Sequence, residues 1–273
     1  MAFSEKNGVK NTTEGIIFGL MGLISPPLCR GCGREGGLLC ERCKNYIISH
    51  KQVRRMDESE ELVEKMGREA IEKVRYLGYR DEILGELVEE YKYMQTRGLE
   101  KVLGEVVFES YFREELMLRG SRRKSGVRAD GRGCGEILLV PSPTSKVHIR
   151  ERGFDHMMRI AEEVRKRGRG RILVKQMLLR GEDTVQVGAG EARRWRQAKG
   201  AIKINPEFLG EDGKVLEELR GREVVVIDDV WTTGATMTVA MKLLEEAGMK
   251  KVRGLLITKN RQGKTPRISR GEF

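Results

Sequence analysis

The clearest order in the chain lies in its C-terminal half. There, short aliphatic runs alternate with stretches whose apolar positions recur every three to four residues. EILLV (136–140), REVVVIDDV (222–230) and KKVRGLLITK (250–259) are near-continuous apolar runs, the pattern of strands buried on both faces. FDHMMRIAEEVRKRG (154–168) and TGATMTVAMKLLEEAG (233–248) have the spacing of helices, and Gly248 stops the second of them. Such alternation predicts an α/β domain over residues 136–265, with a parallel sheet flanked by helices. Upstream, VRYLGY (74–79) reads as a short strand. DEILGELVEEYKYM (81–94) and GLEKVLGEVVFESYFREEL (98–116) read as amphipathic helices. With the polar, helix-prone stretch at 58–73, they make residues 51–118 a mostly helical segment. Residues 119–135 have six basic side chains and no periodicity, which predicts a flexible basic insertion. No internal repeat is visible.

Composition narrows the class. The 273 residues suit one good-sized domain with an appendage, and 39% apolar content is enough for a core. A net charge of +11 favours anionic partners: nucleic acid, phosphorylated metabolites or an acidic protein. The apolar run at 16–24 is shorter than the about 20 residues of a membrane span. Glu5 and Glu14 precede it and no small-residue cleavage site follows, which argues against a secretion signal. Residues 13–24 are therefore expected to form an amphipathic helix, and the protein is expected in the cytoplasm.

Four of the five cysteines fall in CRGCGREGGLLCERC, a C-x2-C-x7-C-x2-C spacing. Cys29, Cys32, Cys40 and Cys43 can present four thiolates to one tetrahedral Zn²⁺, with intervening glycines allowing tight turns. Two disulfides or a redox pair are the alternatives, and a reducing compartment disfavours them. Four thiolates would close the coordination shell, so the zinc is expected to be structural, in a module over residues 1–50. Cys134 stands alone in the insertion and reads as a free thiol.

The run VVVIDDVWTTGATM (224–237) poses the chemical question, because ionised carboxylates are costly to bury unless paired or bound. Ligands of parallel α/β sheets bind at the carboxyl ends of strands, where Asp228 and Asp229 are expected. Thr232, Thr233, Gly234, Ala235 and Thr236 then lead into a helix, aiming backbone N–H groups at one point that suits a phosphate. Two carboxylates beside such a cradle suit a sugar, with Mg²⁺ nearby. A threonine N-cap with solvated aspartates explains TTGAT taken alone, but not the whole run.

This run resembles the phosphoribosyl-pyrophosphate (PRPP) motif of type I phosphoribosyltransferases. The resemblance implies that Asp228 and Asp229 hold the ribose hydroxyls, in the family's catalytic acid positions, while 232–236 bind the 5′-phosphate. It also implies the type I phosphoribosyltransferase fold. The order of zinc knuckles, YKY (91–93), VPSPTSKVHIRERGFDHM (140–157), DTVQVGAGEARRWRQAKGAI (183–202) and the PRPP motif is similar to that of the ComF family. That likeness spans about residues 20–258. In the stretch that usually reads RERGFNQ, this chain has Asp155 and His156 in place of Asn and Gln.

The ComF resemblance implies a cytosolic role in natural competence, the uptake of single-stranded DNA, with DNA-uptake proteins as partners. An active phosphoribosyltransferase with an unidentified acceptor is the alternative. Lys146, Arg150 and Arg152, expected on a loop after the first strand, are candidates for the pyrophosphate of PRPP or a DNA backbone; solvated surface charge is the plain alternative. Arg165, Lys166, Arg167 and Arg194 would track a phosphate backbone, and Trp195 would stack on a base or fill a core. Gln186 and Lys92 also match family stretches; a structural role is the alternative for Gln186, and a helix-surface position for Lys92. His148 and His156 have no visible partner pattern.

Overall fold

The computed structural model describes residues 27–50, 53–56, 63–64, 66–94, 96, 98–121, 137–181 and 201–261. The expected helix at 13–24, most of the basic insertion, Cys134, Gln186, Arg194 and Trp195 lie outside these residues. Among the described residues no helix is long and apolar enough to cross a membrane.

The described chain runs α1 (Glu41–His50), β1 (Arg54–Arg55), α2 (Arg68–Glu72), β2 (Val74–Tyr79), α3 (Ile83–Tyr93) and α4 (Leu99–Val107). A π-helical turn over Phe108–Phe112 joins α4 to α5 (Arg113–Ser121). Then come β3 (Ile137–Pro141), α6 (Lys146–Arg152), α7 (His156–Arg167), β4 (Ile172–Val174), β5 (Leu178–Arg180) and β6 (Ile202–Ile204). The last elements are β7 (Glu223–Trp231), α8 (Ala235–Glu246) and β8 (Lys251–Lys259).

The main sheet has the order β1-β2-β8-β7-β3-β4. β2, β8, β7, β3 and β4 are parallel neighbours, and β1 adds an antiparallel edge. The expected α/β class is thus the observed one: a mostly parallel sheet with helices on both faces. β2 joins it from the segment read as mostly helical. β5 and β6, three residues each, form a separate antiparallel pair.

Alternation along β7 divides the core in two. Val225 and Ile227 pack with Leu84, Leu103, Phe112, Ile160 and Val164 of α3, α4, the π turn and α7. Val224 and Val226 pack with Ile71, Met237, Ala240 and Leu244 of α2 and α8. The cysteine segment belongs to the first core, for Cys29, Cys43 and Ile47 are buried with α3 and α4. Arg30 clasps Glu90 of α3 through two contacts of 2.6 and 2.7 Å, and Lys44 reaches Glu105 of α4 at 2.6 Å.

Strand order creates the crevice. From β3 the chain moves outward to β4, whereas from β7 it moves the opposite way to β8. The carboxyl ends of β3 and β7 therefore flank a topological switch point, where open α/β sheets bind ligands. β3 ends at Pro141, opposite Ile227, while β7 continues beside β8 to Trp231. Asp228 and Asp229 lie on the part of β7 that has outrun β3.

Candidate functional site

Asp228 and Asp229 are strand residues, so their side chains leave opposite faces of β7. Asp228 is half-buried and reaches across the switch point, where Ser142 Oγ donates to its Oδ1 at 2.6 Å. The Asp229 backbone N–H donates to the same oxygen at 3.0 Å. Asp228 Oδ2 accepts no hydrogen bond among the described residues. Burial first, and then the charge of Asp229, push the Asp228 carboxyl up to about 6.

Asp229 is buried under the first set of helices. Its Oδ2 accepts from Lys92 Nζ of α3 at 2.6 Å and from His156 Nε2 of α7 at 2.5 Å. Burial raises this carboxyl, but the Lys92 charge and the His156 contact outweigh it and hold it well below the ordinary range. The backbone carbonyl of Asp229 accepts from Thr258 Oγ1 at 3.0 Å, which anchors this residue to β8 as well.

The contacts of His156 set its tautomer. Nε2 faces an acceptor-only carboxylate, so it carries a proton. Arg152 Nη1, which can only donate, lies 3.2 Å from Nδ1, so Nδ1 accepts. Asp155 begins α7 as its N-cap, with Oδ1 accepting from the Met158 N–H at 3.1 Å and from Thr144 Oγ1 at 3.1 Å. Both departures from the resembled stretch thus have local roles. His156 went unassigned in the sequence because its carboxylate partner lies 73 residues away.

The turn after β7 keeps its predicted form. Gly234 adopts φ +77°, and a Cβ there would lie 2.2 Å from the buried Trp231 ring. Only glycine accommodates both constraints, so Trp231 becomes the floor beneath the turn. Thr233 is buried and its Oγ1 accepts from the Ala235 N–H at 3.4 Å, while Thr232 is exposed and Thr236 half-buried. The first N–H groups of α8 have no intrahelical acceptor; the helix starts at Ala235, with five residues between it and Asp229 in the chain, and the Ala235 N–H goes to Thr233 Oγ1.

The predicted basic residues separate. Lys146, Arg150 and Arg152 were expected on a loop, but they lie on helix α6, capped by Ser145, which accepts from the His148 N–H at 3.3 Å. The helix escaped the periodicity reading because it buries no residue, and even Val147 is exposed. Arg152 turns toward His156 and lies over the Tyr93 ring, whereas Lys146 lines a cavity on the β5–β6 side. Arg165, Lys166 and Arg167 end α7 and each meets a carboxylate: Glu162 at 2.6 Å, and Glu163 at 2.5 and 3.3 Å. Lys92, which the sequence treated as a surface candidate, has a side chain only 15% exposed.

The cysteine cluster is a second candidate site. The four Sγ atoms of Cys29, Cys32, Cys40 and Cys43 lie within 4.8 Å of one another, close to the about 3.8 Å edge of a Zn–thiolate tetrahedron. A Cβ on Gly31 would sit 2.7 Å from Cys43 Sγ, so glycine lets the knuckle close. The donor set therefore fits a metal such as zinc. Burial raises the Cys29 thiol, yet backbone N–H groups of Cys40, Cys32 and Gly31 bring it down to about 6. Burial and the neighbouring thiols push Cys43 up.

No curated protein matches this chain. Among solved structures it is similar to the L. donovani hypoxanthine-guanine phosphoribosyl transferase, at 11% identity over 56% of this chain and 71% of that one, with a TM-score of 0.30. The Trypanosoma cruzi hypoxanthine phosphoribosyl transferase is similar at 9% identity over 68% and 71%, with a TM-score of 0.31. Both likenesses are too remote to bear on function. Residues 170–269, which include both aspartates and the turn into α8, match the family described as "Phosphoribosyl transferase domain", so this part of the chain is of phosphoribosyltransferase type.

Proposed function

We propose that the crevice between β3 and β7 binds PRPP, and that the chain is a ComF-type, phosphoribosyltransferase-like protein. One observation carries the reading: the acid pair stands at the sheet's switch point, directly ahead of the small-residue turn into α8. Asp228 would accept from the ribose hydroxyls through its uncommitted Oδ2. The N–H groups of 232–236 would hold the 5′-phosphate, and Arg152 would stand on the pyrophosphate side. Mg²⁺, carried on the pyrophosphate, favours hard oxygen donors, which the Asp228 carboxylate supplies. Asp229 is committed to Lys92 and His156 and acts by fixing the shape of the strand end.

Phosphoribosyl transfer develops positive charge at the ribose. Positioning and an adjacent anion suffice for it, and the site needs no side-chain nucleophile. Thermal-shift titration with PRPP and Mg²⁺ tests binding. The melting temperature must climb with ligand in the parent protein and stay flat in Asp228→Asn. Pyrophosphate release across an acceptor panel then separates an active transferase from a protein that only binds PRPP.

A second reading, a role in uptake of single-stranded DNA, is favoured by the far end of the sheet. There Arg113, Arg167, Arg169 and Arg171 gather with Phe108 around a cavity of about 480 Å³. Four arginines against one lining carboxylate, Glu109, which pairs with Arg113, leave a net positive end that suits a phosphate backbone. It predicts binding that weakens steeply with salt; affinity for an oligothymidine that is unchanged between low and high salt removes it.

A further inference from the structure

One buried ring touches both the acid pair and an arginine of the crevice: His156, which stands where the resembled stretch has glutamine. We propose that His156 is a positioning residue, which ties Arg152 to Asp229 and so lets the crevice prefer a sugar pyrophosphate over a bare sugar phosphate. The inference rests on the PRPP reading and names what sets the ligand preference of that site.

Arg152 needs such a partner. It is the last residue of α6, a helix of seven residues that buries none of them. The chain leaves the helix at once through Gly153, at φ +76°. Among the described residues the Arg152 guanidinium meets no carboxylate. Its contacts are His156 Nδ1, 3.2 Å from Nη1, and the Tyr93 ring, 5.9 Å from the guanidinium carbon. Tyr93 is exposed at the end of α3, so the buried histidine is the firmer of the two holds. An arginine held before the ligand arrives has less rotamer freedom to lose on binding.

His156 can hold the arginine because other elements hold the ring. Its Nε2–H goes to Asp229 Oδ2 of β7 at 2.5 Å, and Lys92 of α3 fixes the same oxygen at 2.6 Å. Thr144 Oγ1 lies 3.5 Å from Nδ1, but it donates to Asp155 Oδ1, so the Nδ1 lone pair is left to Arg152. An acceptor-only carboxylate at one ring nitrogen thus makes the other nitrogen an acceptor. The remaining N–H groups of the guanidinium stay open to an oxyanion. In the PRPP reading Asp228 takes the ribose and residues 232–236 take the 5′-phosphate, so Arg152 acts on the pyrophosphate alone. A glutamine amide also pairs one donor with one acceptor, and it can serve the same relay.

The test compares PRPP with ribose 5-phosphate, each with Mg²⁺, by calorimetry on the full chain. His156→Leu should lower the preference for PRPP about tenfold or more, the size of a lost hydrogen bond to a charged group. Arg152→Met should lower it as far and the double variant no further, because both break one relay. His156→Gln should keep the preference. A general loosening of the strand end would weaken both ligands alike and leave their ratio unmoved. In protein carrying ¹⁵N-labelled histidine, the signal lost in His156→Gln should show a protonated Nε2 and a bare Nδ1. This readout does not depend on whether His156→Leu folds. An unmoved ratio in His156→Leu, additive losses in the double variant, a lost preference in His156→Gln or a protonated Nδ1 overturns the relay while PRPP binding stands. A parent protein that binds neither sugar overturns the PRPP reading and the relay with it.

Discussion

Removing Lys92 tests how the acid pair is held. Its Nζ lies 2.6 Å from Asp229 Oδ2, and the two side chains are 15% and 11% exposed. At that distance and an effective dielectric of about 20, the Coulomb attraction is about 6 kcal/mol before desolvation is subtracted. Desolvation offsets most of it, so the intact pair contributes little net stability. A broken pair is different, because a buried charge without its partner costs about 3–5 kcal/mol. Lys92→Met should fall in that interval, since it leaves Asp229 beside Asp228 with only the His156 side chain donating to its carboxylate among the described residues. Asp229→Asn should cost less, because Asp228 is near enough to feel the Lys92 charge and can ionise to answer it. The double variant should cost about 2 kcal/mol less than the sum of the singles, within the range seen for contacting residues. Urea unfolding followed by circular dichroism measures all three. In thermal melts a 3 kcal/mol loss corresponds to roughly 6–12 °C for a chain of this size. A Lys92→Met cost under about 0.5 kcal/mol, or singles that add within about 0.5 kcal/mol, would refute the buried pair.

Four further outcomes follow from the structure. Asp228 titrates near 6, so PRPP with Mg²⁺ should bind more tightly as pH rises through 6 and lose about tenfold per unit below it; calorimetry at pH 5 and pH 7.5 checks this. The sign is opposite for stability: a raised carboxyl favours its neutral form in the fold, so this group makes the protein less stable as pH climbs from the ordinary carboxylate value, 3.8, through about 6. Gly234→Ala should abolish PRPP-induced stabilisation, because its φ is +77° and the new Cβ would meet the Trp231 ring; an unchanged shift shows that the turn does not hold the phosphate. Purified protein should contain one zinc per chain by elemental analysis, and a strong chelator should lower its melting temperature because the cysteine cluster shares a core with α3 and α4.

What the sequence could and could not reveal follows from the range of each interaction. β2, β7, β8, α7 and α8 are visible because their apolar periods are local properties of ten or so consecutive residues. The turn into α8 is visible for the same reason, since acids, threonines and Gly234 are contiguous. The π turn at Phe108–Phe112 is hidden because one extra residue in a helix leaves the apolar stripe looking continuous. β5 and β6 are too short, at three residues each, to show an alternation. Helix α6 has no apolar face to show. The second half of the site is hidden for a deeper reason. Ser142 meets Asp228 across 86 residues of chain and His156 meets Asp229 across 73, and no local pattern encodes either contact. Both arise from strand order, since only the outward turn from β3 to β4 and the opposite turn from β7 to β8 leave the crevice open. Two adjacent aspartates therefore mark a candidate site, but the sheet gives them different surroundings. One faces the crevice with an oxygen to offer, and the other is fixed beneath it by a lysine and a histidine.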